Sequence, residues 1–260
     1  MIKIVREHIR ALTEKGVRED GRSFVEYRKP LRIEYGISNK SAEGSASVII
    51  GETEVVAGVK LEVGEPFPDT PDAGVLMVGA ELLPLSNPEF ESGPPGIDAI
   101  ELARVIDRCI RESKAIDFAK LCIKKGEKVW MVYLDIYPIN DDGNLFDAAA
   151  LAAVAALKDT KFPEYDTKKE QINYQKKTNK PLPLTKTPIL VTVAKIKKRY
   201  IIDPTRNEVE SLDARLSVAT LDNGTICALQ KGGDEAIKAE EVDEMIAIAT
   251  DQAAKLRKLL

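Results

Sequence analysis

Apolar residues at Ile4, Val5, Ile9 and Leu12 recur at helical spacing, so residues 3–15 predict a short amphipathic helix with these four inward, stopped at Gly16. The period changes after the polar loop Arg18-Glu19-Asp20-Gly21-Arg22. Arg32-Ile33-Glu34-Tyr35 alternates at period two. Residues 45–50, 54–63 and 75–83 are rich in β-branched side chains and broken by Gly44, Gly51 and Gly64, which predicts strands with a hairpin at Gly51-Glu52-Thr53. Pro66, Pro68 and Pro71 remove ladder donors, so residues 65–72 read as a protruding loop. A second irregular stretch, 84–96, leads into a helix over 98–114 with Asp98 as its N-cap. The continuous apolar centre of 127–139 predicts a strand covered on both faces. After the turn Asp141-Asp142-Gly143-Asn144 comes a helix over 145–158, whose many alanines mark it as a close-packed core element.

Lysine, proline and weak apolar periodicity make 161–188 the clearest break in the chain. Strands follow near 189–196, 199–203, 215–221 and 225–230. A helix over 234–260 closes the chain, with Val242, Met245, Ile246, Ala249, Ala253, Leu256 and Leu260 on one stripe. Strands then helices, twice over, predict an α+β fold of two β-plus-α blocks packed as one compact unit, divided as residues 1–160, a connection at 161–188, and 189–260.

Composition narrows the chemistry. Hydrophobic residues are 44% and charged residues 31% of the 260 positions, a globular balance rather than a disordered one. With 38 basic and 42 acidic residues the formal net charge is -4, so nucleic acid would have to be held by a local basic face. No stretch approaches the ~20 apolar residues of a membrane span, and the first residues carry charge where a signal peptide would be apolar. A cytoplasmic location is the expectation. Cys109, Cys122 and Cys227 form no CxxC, which supports neither a disulfide framework nor a zinc cluster. His8 is the one histidine; it reads as an exposed helical residue, and histidine-based nucleophile and metal systems fall with it. No cofactor and no metal is expected.

Gly232-Gly233-Asp234, read as the opening of the last helix, has neither P-loop nor GxGxxG spacing. Glu208, Glu210 and Asp213 fall in an expected loop after Asp203-Pro204. Lys195, Lys197, Lys198 and Arg199, with Lys168, Lys169, Lys176, Lys177 and Lys180 in the connection, read first as solvated surface and second as an RNA-contacting one. Most informative is the 98–114 helix. Arg104, Arg108 and Arg111 stand at i, i+4 and i+7 and share one face, a row able to follow successive phosphates. The competing arrangement is local neutralisation through Glu101–Arg104, Asp107–Arg111 and Arg108–Glu112. Residue physics by itself favours neutralisation.

The sequence resembles the RNase PH family, and within it the non-catalytic RNase PH-like ring subunits of the archaeal exosome. The resemblance is carried by Arg18-Glu19-Asp20-Gly21-Arg22, Gly44-Ser45-Ala46, Gly51-Glu52-Thr53, Gly93-Pro94-Pro95, Ile100-Glu101-Leu102-Ala103-Arg104-Val105-Ile106-Asp107-Arg108, Asp142-Gly143-Asn144-Leu145-Phe146-Asp147-Ala148-Ala149 and Asp203-Pro204-Thr205, in family order along nearly the whole chain. It implies an RNase PH-like fold. Active members degrade RNA from its 3′ end by phosphorolysis, with acidic residues at the cleavage point, arginines for RNA and phosphate, and a Ser/Thr-Arg loop for phosphate. This chain departs from that pattern at three loci. Val209 and Arg215 stand where two aspartates are expected, Ile97 and Asp98 where an arginine pair is, and Leu145 and Phe146 where Ser/Thr-Arg is.

The resemblance therefore implies a family fold without the family's catalytic centre. It implies a subunit that structures the active site of a catalytic RNase PH-like paralogue and closes an alternating hexameric ring of three heterodimers. Cap proteins would sit on one face, and single-stranded RNA would be held by Arg104 and Arg108, with Arg111 third. An autonomous phosphate-dependent exoribonuclease using Glu208, Glu210 and Asp213 is the rival reading. A general RNA-binding module with no ring is a third.

Overall fold

The computed structural model describes residues 2–167 and 169–260; among the lysines singled out above, Lys168 lies outside the described residues. The first block opens with α1 (Ile2–Glu14). Strands β1 (Leu31–Tyr35), β2 (Gly44–Ile50), β3 (Thr53–Gly64) and β4 (Val75–Ala80) follow, then α2 (Ile97–Glu112). A 3₁₀ turn (Phe118–Leu121) leads to β5 (Cys122–Lys124) and β6 (Lys128–Asn140), and then to α3 (Leu145–Asp159). The sheet order is β1-β2-β3-β6-β4, with β5 also on β6. Its pairs are antiparallel except β4 with β6. The second block holds β9 (Ile189–Ile196), β10 (Arg199–Ile202), α4 (Arg206–Ser211), β11 (Ala214–Thr220), β12 (Ile226–Gly232) and α5 (Ala239–Leu256). Its sheet runs β10-β9-β11-β12, all antiparallel.

Helix α3 is the hub. From Asp147 to Leu157 every residue is buried, because the alanines let sheet and helix backbones approach on all sides. The helix packs on β2 and β3 of one sheet and on β9 of the other. One apolar cluster therefore runs through both blocks, from Val48 and Ile136 across Ala152 to Val191, Val218 and Met245. The mixed α/β content matches the expected fold class.

Several local expectations change. Ile4 is 74% exposed: it lies about 140° round the helix from Ile9, which with Val5 packs against Ala194, Ile196 and Ile201. Helix α2 begins earlier than expected, capped by Gly96, with Asp98 in its first turn where a carboxylate complements the helix dipole. Strand β6 is not covered on both faces; buried Val132, Leu134 and Ile136 alternate with half-buried Met131, Tyr133, Asp135 and Tyr137. The outward set is bulky enough to read as core. Residues 161–181 form an antiparallel hairpin, β7 (Lys161–Asp166) with β8 (Gln171–Pro181). The stretch expected as a loop around Glu208 is α4, whose first turn is closed by the Glu208 carboxylate accepting the Thr205 N–H at 2.8 Å. Helix α5 starts at Ala239 rather than at Asp234: Gly233 sits at φ 82 in the turn after β12, and Glu241 accepts the Lys238 N–H at 2.9 Å.

Candidate nucleic-acid interface and the pocket behind it

The glycine-bearing motifs meet in one buried ion network. Asp203, fully buried, accepts the Arg28 backbone N–H at 2.7 Å and Arg28 Nε and Nη2 at 3.0 and 2.9 Å. It also accepts Arg22 Nη1 at 3.0 Å and Asn144 Nδ2 at 2.9 Å. Arg28 Nη1 reaches the Asp142 carboxylate at 2.6 Å. Arg18 grips Glu208 with two bonds of 2.8 and 2.5 Å and donates to the Asp203 carbonyl at 2.9 Å. Residues 18–28 are thus stapled to 142–144 and 203–208. Gly143 is required there: its φ is +92, and a Cβ would stand 2.5 Å from the Pro204 carbonyl oxygen. One helical turn on, Asp147 accepts the Tyr27 hydroxyl at 2.8 Å and the Thr192 N–H at 2.7 Å. Burial pushes the Asp147 carboxyl up to about 7 against those hydrogen bonds, with the Asp203 charge adding to the rise.

Beside this clamp lies a pocket of about 340 Å³ bounded by α2, the start of α3, β9, α4 and Arg215 of β11. Five of the six positions that depart from the phosphorolytic pattern line it: Asp98, Leu145, Phe146, Val209 and Arg215. Three loci more than a hundred residues apart in sequence at their extremes converge here. Ile97, the sixth, is 83% exposed. The lining carries five carboxylates (Glu89, Asp98, Glu101, Asp141, Glu210) against two arginines, Arg206 and Arg215. Arg206 is spent on Asp141 at 2.7 Å, Glu210 at 3.1 Å and Glu89. Arg215 donates to Glu101 at 2.7 Å and lies 4.3 Å from the Phe146 ring centroid. An anion entering would meet apolar walls, five carboxylates and, among the described residues, a single buried guanidinium nitrogen without a partner, Arg215 Nη1. This pocket is unsuited to inorganic phosphate.

The rival acidic set is no better placed. Glu208 is locked to Arg18, Glu210 to Arg206, and Asp213 to Arg10 at 2.5 Å. Among the described residues no His/Cys/Asp/Glu group is arranged to hold a metal ion, and no helix is long and apolar enough to cross a membrane.

On the other side of α2 the charge balance reverses. Arg104 and Arg108 line an open groove against Val78, Gly79 and Ala80 of β4, with Pro95 and Ile100. Both are exposed. Of the three local ion pairs weighed above, only Asp107–Arg111 forms, bidentate at 2.6 and 3.1 Å. Arg111 is further tied to the Leu76 carbonyl at 3.0 Å. Glu101 is taken by Arg215, and Arg108 meets only the neutral Gln230 Oε1, at 3.2 Å. Arg104 has no ion-pair or hydrogen-bond partner among the described residues. In the other basic runs, Lys195 pairs with Glu241, Lys176 with Glu164 at 2.7 Å, and Lys177 donates to the Ala42 carbonyl at 2.6 Å. Sequence reasoning missed Arg206, the pocket's ionic hub, and the Arg215–Glu101 pair; the i,i+4 spacing of Arg206 and Glu210 was the one local signal, while Glu89, Asp141 and Glu101 lie far from their arginines in sequence.

The two β-plus-α blocks correspond to two family domains: the chain belongs to the 3′ exoribonuclease family, matching its domain 1 over residues 27–163 and its domain 2 over residues 186–252. Among curated relatives it is 48% identical over 261 residues to exosome complex component Rrp42 of Thermococcus gammatolerans, covering 100% of this chain and 95% of that one. It is 47% identical to the protein of the same name from Methanocella arvoryzae, over 99% of this chain and 96% of that one. A solved structure described as the Archaeoglobus fulgidus exosome with RNA bound to the active site contains a chain that superposes with a TM-score of 0.91 at 43% identity, covering 99% and 98% of the two chains. Rice Rrp46, at 16% identity and a TM-score of 0.69, shares the fold.

Proposed function

We propose that this chain is a non-catalytic ring subunit of an archaeal-type exosome. It pairs with a catalytic RNase PH-like paralogue, three such heterodimers close a hexameric ring that carries cap proteins, and the chain holds single-stranded RNA for 3′-to-5′ phosphorolysis by the paralogue. Its place is the cytoplasm. Within the chain, 1–160 and 189–260 act as the two family blocks joined through 161–188. Arg104 and Arg108 are the principal RNA phosphate ligands, with Arg111 third because its guanidinium is shared with Asp107.

The observation that carries this reading is the lining of the pocket, where five carboxylates and two ion-paired arginines stand at the loci to which the resemblance assigns phosphorolysis. Naming of relatives at 44–48% identity as an exosome component supports it. Exposed Ile97 (83%), Leu85 (74%) and Ile100 (49%) support a partner surface. The test is co-expression with the host's active paralogue, mass measurement, and an RNA decay assay with phosphate. The chain by itself should release no nucleoside diphosphate above background, also after Val209→Asp/Arg215→Asp. The mixture should form an alternating ring that degrades RNA. Release by the pure chain would return the autonomous exoribonuclease, and monomers that never associate would return the free RNA-binding module.

A further inference from the structure

Helix α2 carries two acids within one turn of Arg104: Glu101 three residues before it and Asp107 three after. Either could neutralise it on an exposed helix face. Neither does, and each is held by a different arginine. Asp107 is gripped by Arg111 at 2.6 and 3.1 Å. Glu101 is drawn to the pocket side by Arg215 Nη2 at 2.7 Å. The Arg215 guanidinium is itself constrained. It lies 4.3 Å from the Phe146 ring centroid, and Gly232 of the neighbouring strand leaves space for it, since a Cβ there would fall 2.4 Å from Arg215 Cζ. Phe146 and Arg215 are two of the residues that depart from the phosphorolytic pattern.

We propose that Arg215 is a positioning residue for RNA binding: by holding Glu101 on the pocket side against Phe146, it denies Arg104 an intrahelical counter-ion and leaves that guanidinium free for an RNA phosphate. The dead pocket then has work on the opposite face of α2, through a carboxylate it captures. This rests on the RNA-binding reading of Arg104. Nothing in it requires Arg215 to approach RNA.

The experiment uses the full chain assembled with its paralogue, a fluorescently labelled oligoadenylate as probe, and titrations at several salt concentrations. Arg215→Met keeps side-chain bulk over Phe146 and removes the charge, releasing Glu101 to turn toward Arg104. Affinity should fall on the order of threefold to tenfold, the effect of losing one charged contact at an exposed site. The log–log salt slope should flatten by up to about 0.7, one single-strand phosphate contact. Adding Glu101→Gln should restore both, and in an Arg104→Ala background Arg215→Met should change nothing further. Unchanged affinity in Arg215→Met, a loss that Glu101→Gln fails to rescue, or a further loss from Arg215→Met in the Arg104→Ala background would each overturn the proposal while leaving RNA binding by Arg104 intact. Unchanged binding in Arg104→Ala would instead overturn the RNA reading, and this proposal with it.

Discussion

The two sides of helix α2 hold similar chemistry and put it to opposite use. Toward the pocket, Arg206 and Arg215 are each ion-paired, and the carboxylates outnumber them. Toward the groove, Arg104 has no partner among the described residues and Arg108 only a neutral one. Arginine alone is therefore no mark of an anion site. What matters is whether a carboxylate reaches the guanidinium first, because a paired arginine must lose that partner before it can take a phosphate. The deeper clamp of Arg18, Arg22 and Arg28 on Asp203 and Glu208 is the extreme of the first kind: fully committed, and structural.

The sharpest way to break the comparison is at the clamp. Asp203→Ala leaves Arg28 and Arg22 facing a vacated, buried position and should cost about 3–5 kcal/mol of unfolding free energy in urea melts, as expected when one partner of a buried ion network is removed. A loss near that of a surface pair would show that the clamp is dispensable. Next in size is a pH effect at Asp147. Its carboxyl, pushed by burial up to about 7, is raised above its unfolded value. The native state therefore binds the proton more tightly, and stability from this group is full below about 4 and lost as pH rises toward 7. Measured against Asp147→Asn, wild-type stability should decline across that window and level off above it. Parallel pH curves for the two proteins would contradict the assignment. The smallest effect sharpens the contrast from outside: Lys125→Ala removes an exposed pair with Asp72 and should change stability by less than about 0.5 kcal/mol.

Much of the architecture was legible because periodicity is a local signal. The alanines of α3, the strands of both sheets and the hairpin at Gly51 follow from spacing and turn residues. Where packing rather than pattern decides, the reading slipped. The outward face of β6 has large apolar side chains and passed for core. The six-residue α4 was too short for a periodic signal, and Ile4 shares the helix of Ile9 without sharing its face. At the site, the motifs around Arg18, Asp142 and Asp203 were visible, but not that they interlock in one buried network. The three separated departures could be found one at a time; only the fold brings five of those residues to one pocket. The status of the arginine row was undecidable by spacing, since Glu101 can pair with Arg104 on the same helix or with Arg215 more than a hundred positions away, and the structure shows the second.

The most direct test of the central claim is the salt dependence of RNA affinity in the assembled ring, wild type against Arg104→Ala/Arg108→Ala, with sizing as the assembly control. If the uncompensated guanidiniums hold phosphates, the variant rings should assemble normally, bind RNA more weakly whatever its bases, and show a log–log slope flatter by up to about 1.4, two single-strand contacts. Intact rings with unchanged affinity and slope would contradict the claim, and rings that fall apart would make these arginines interface residues instead.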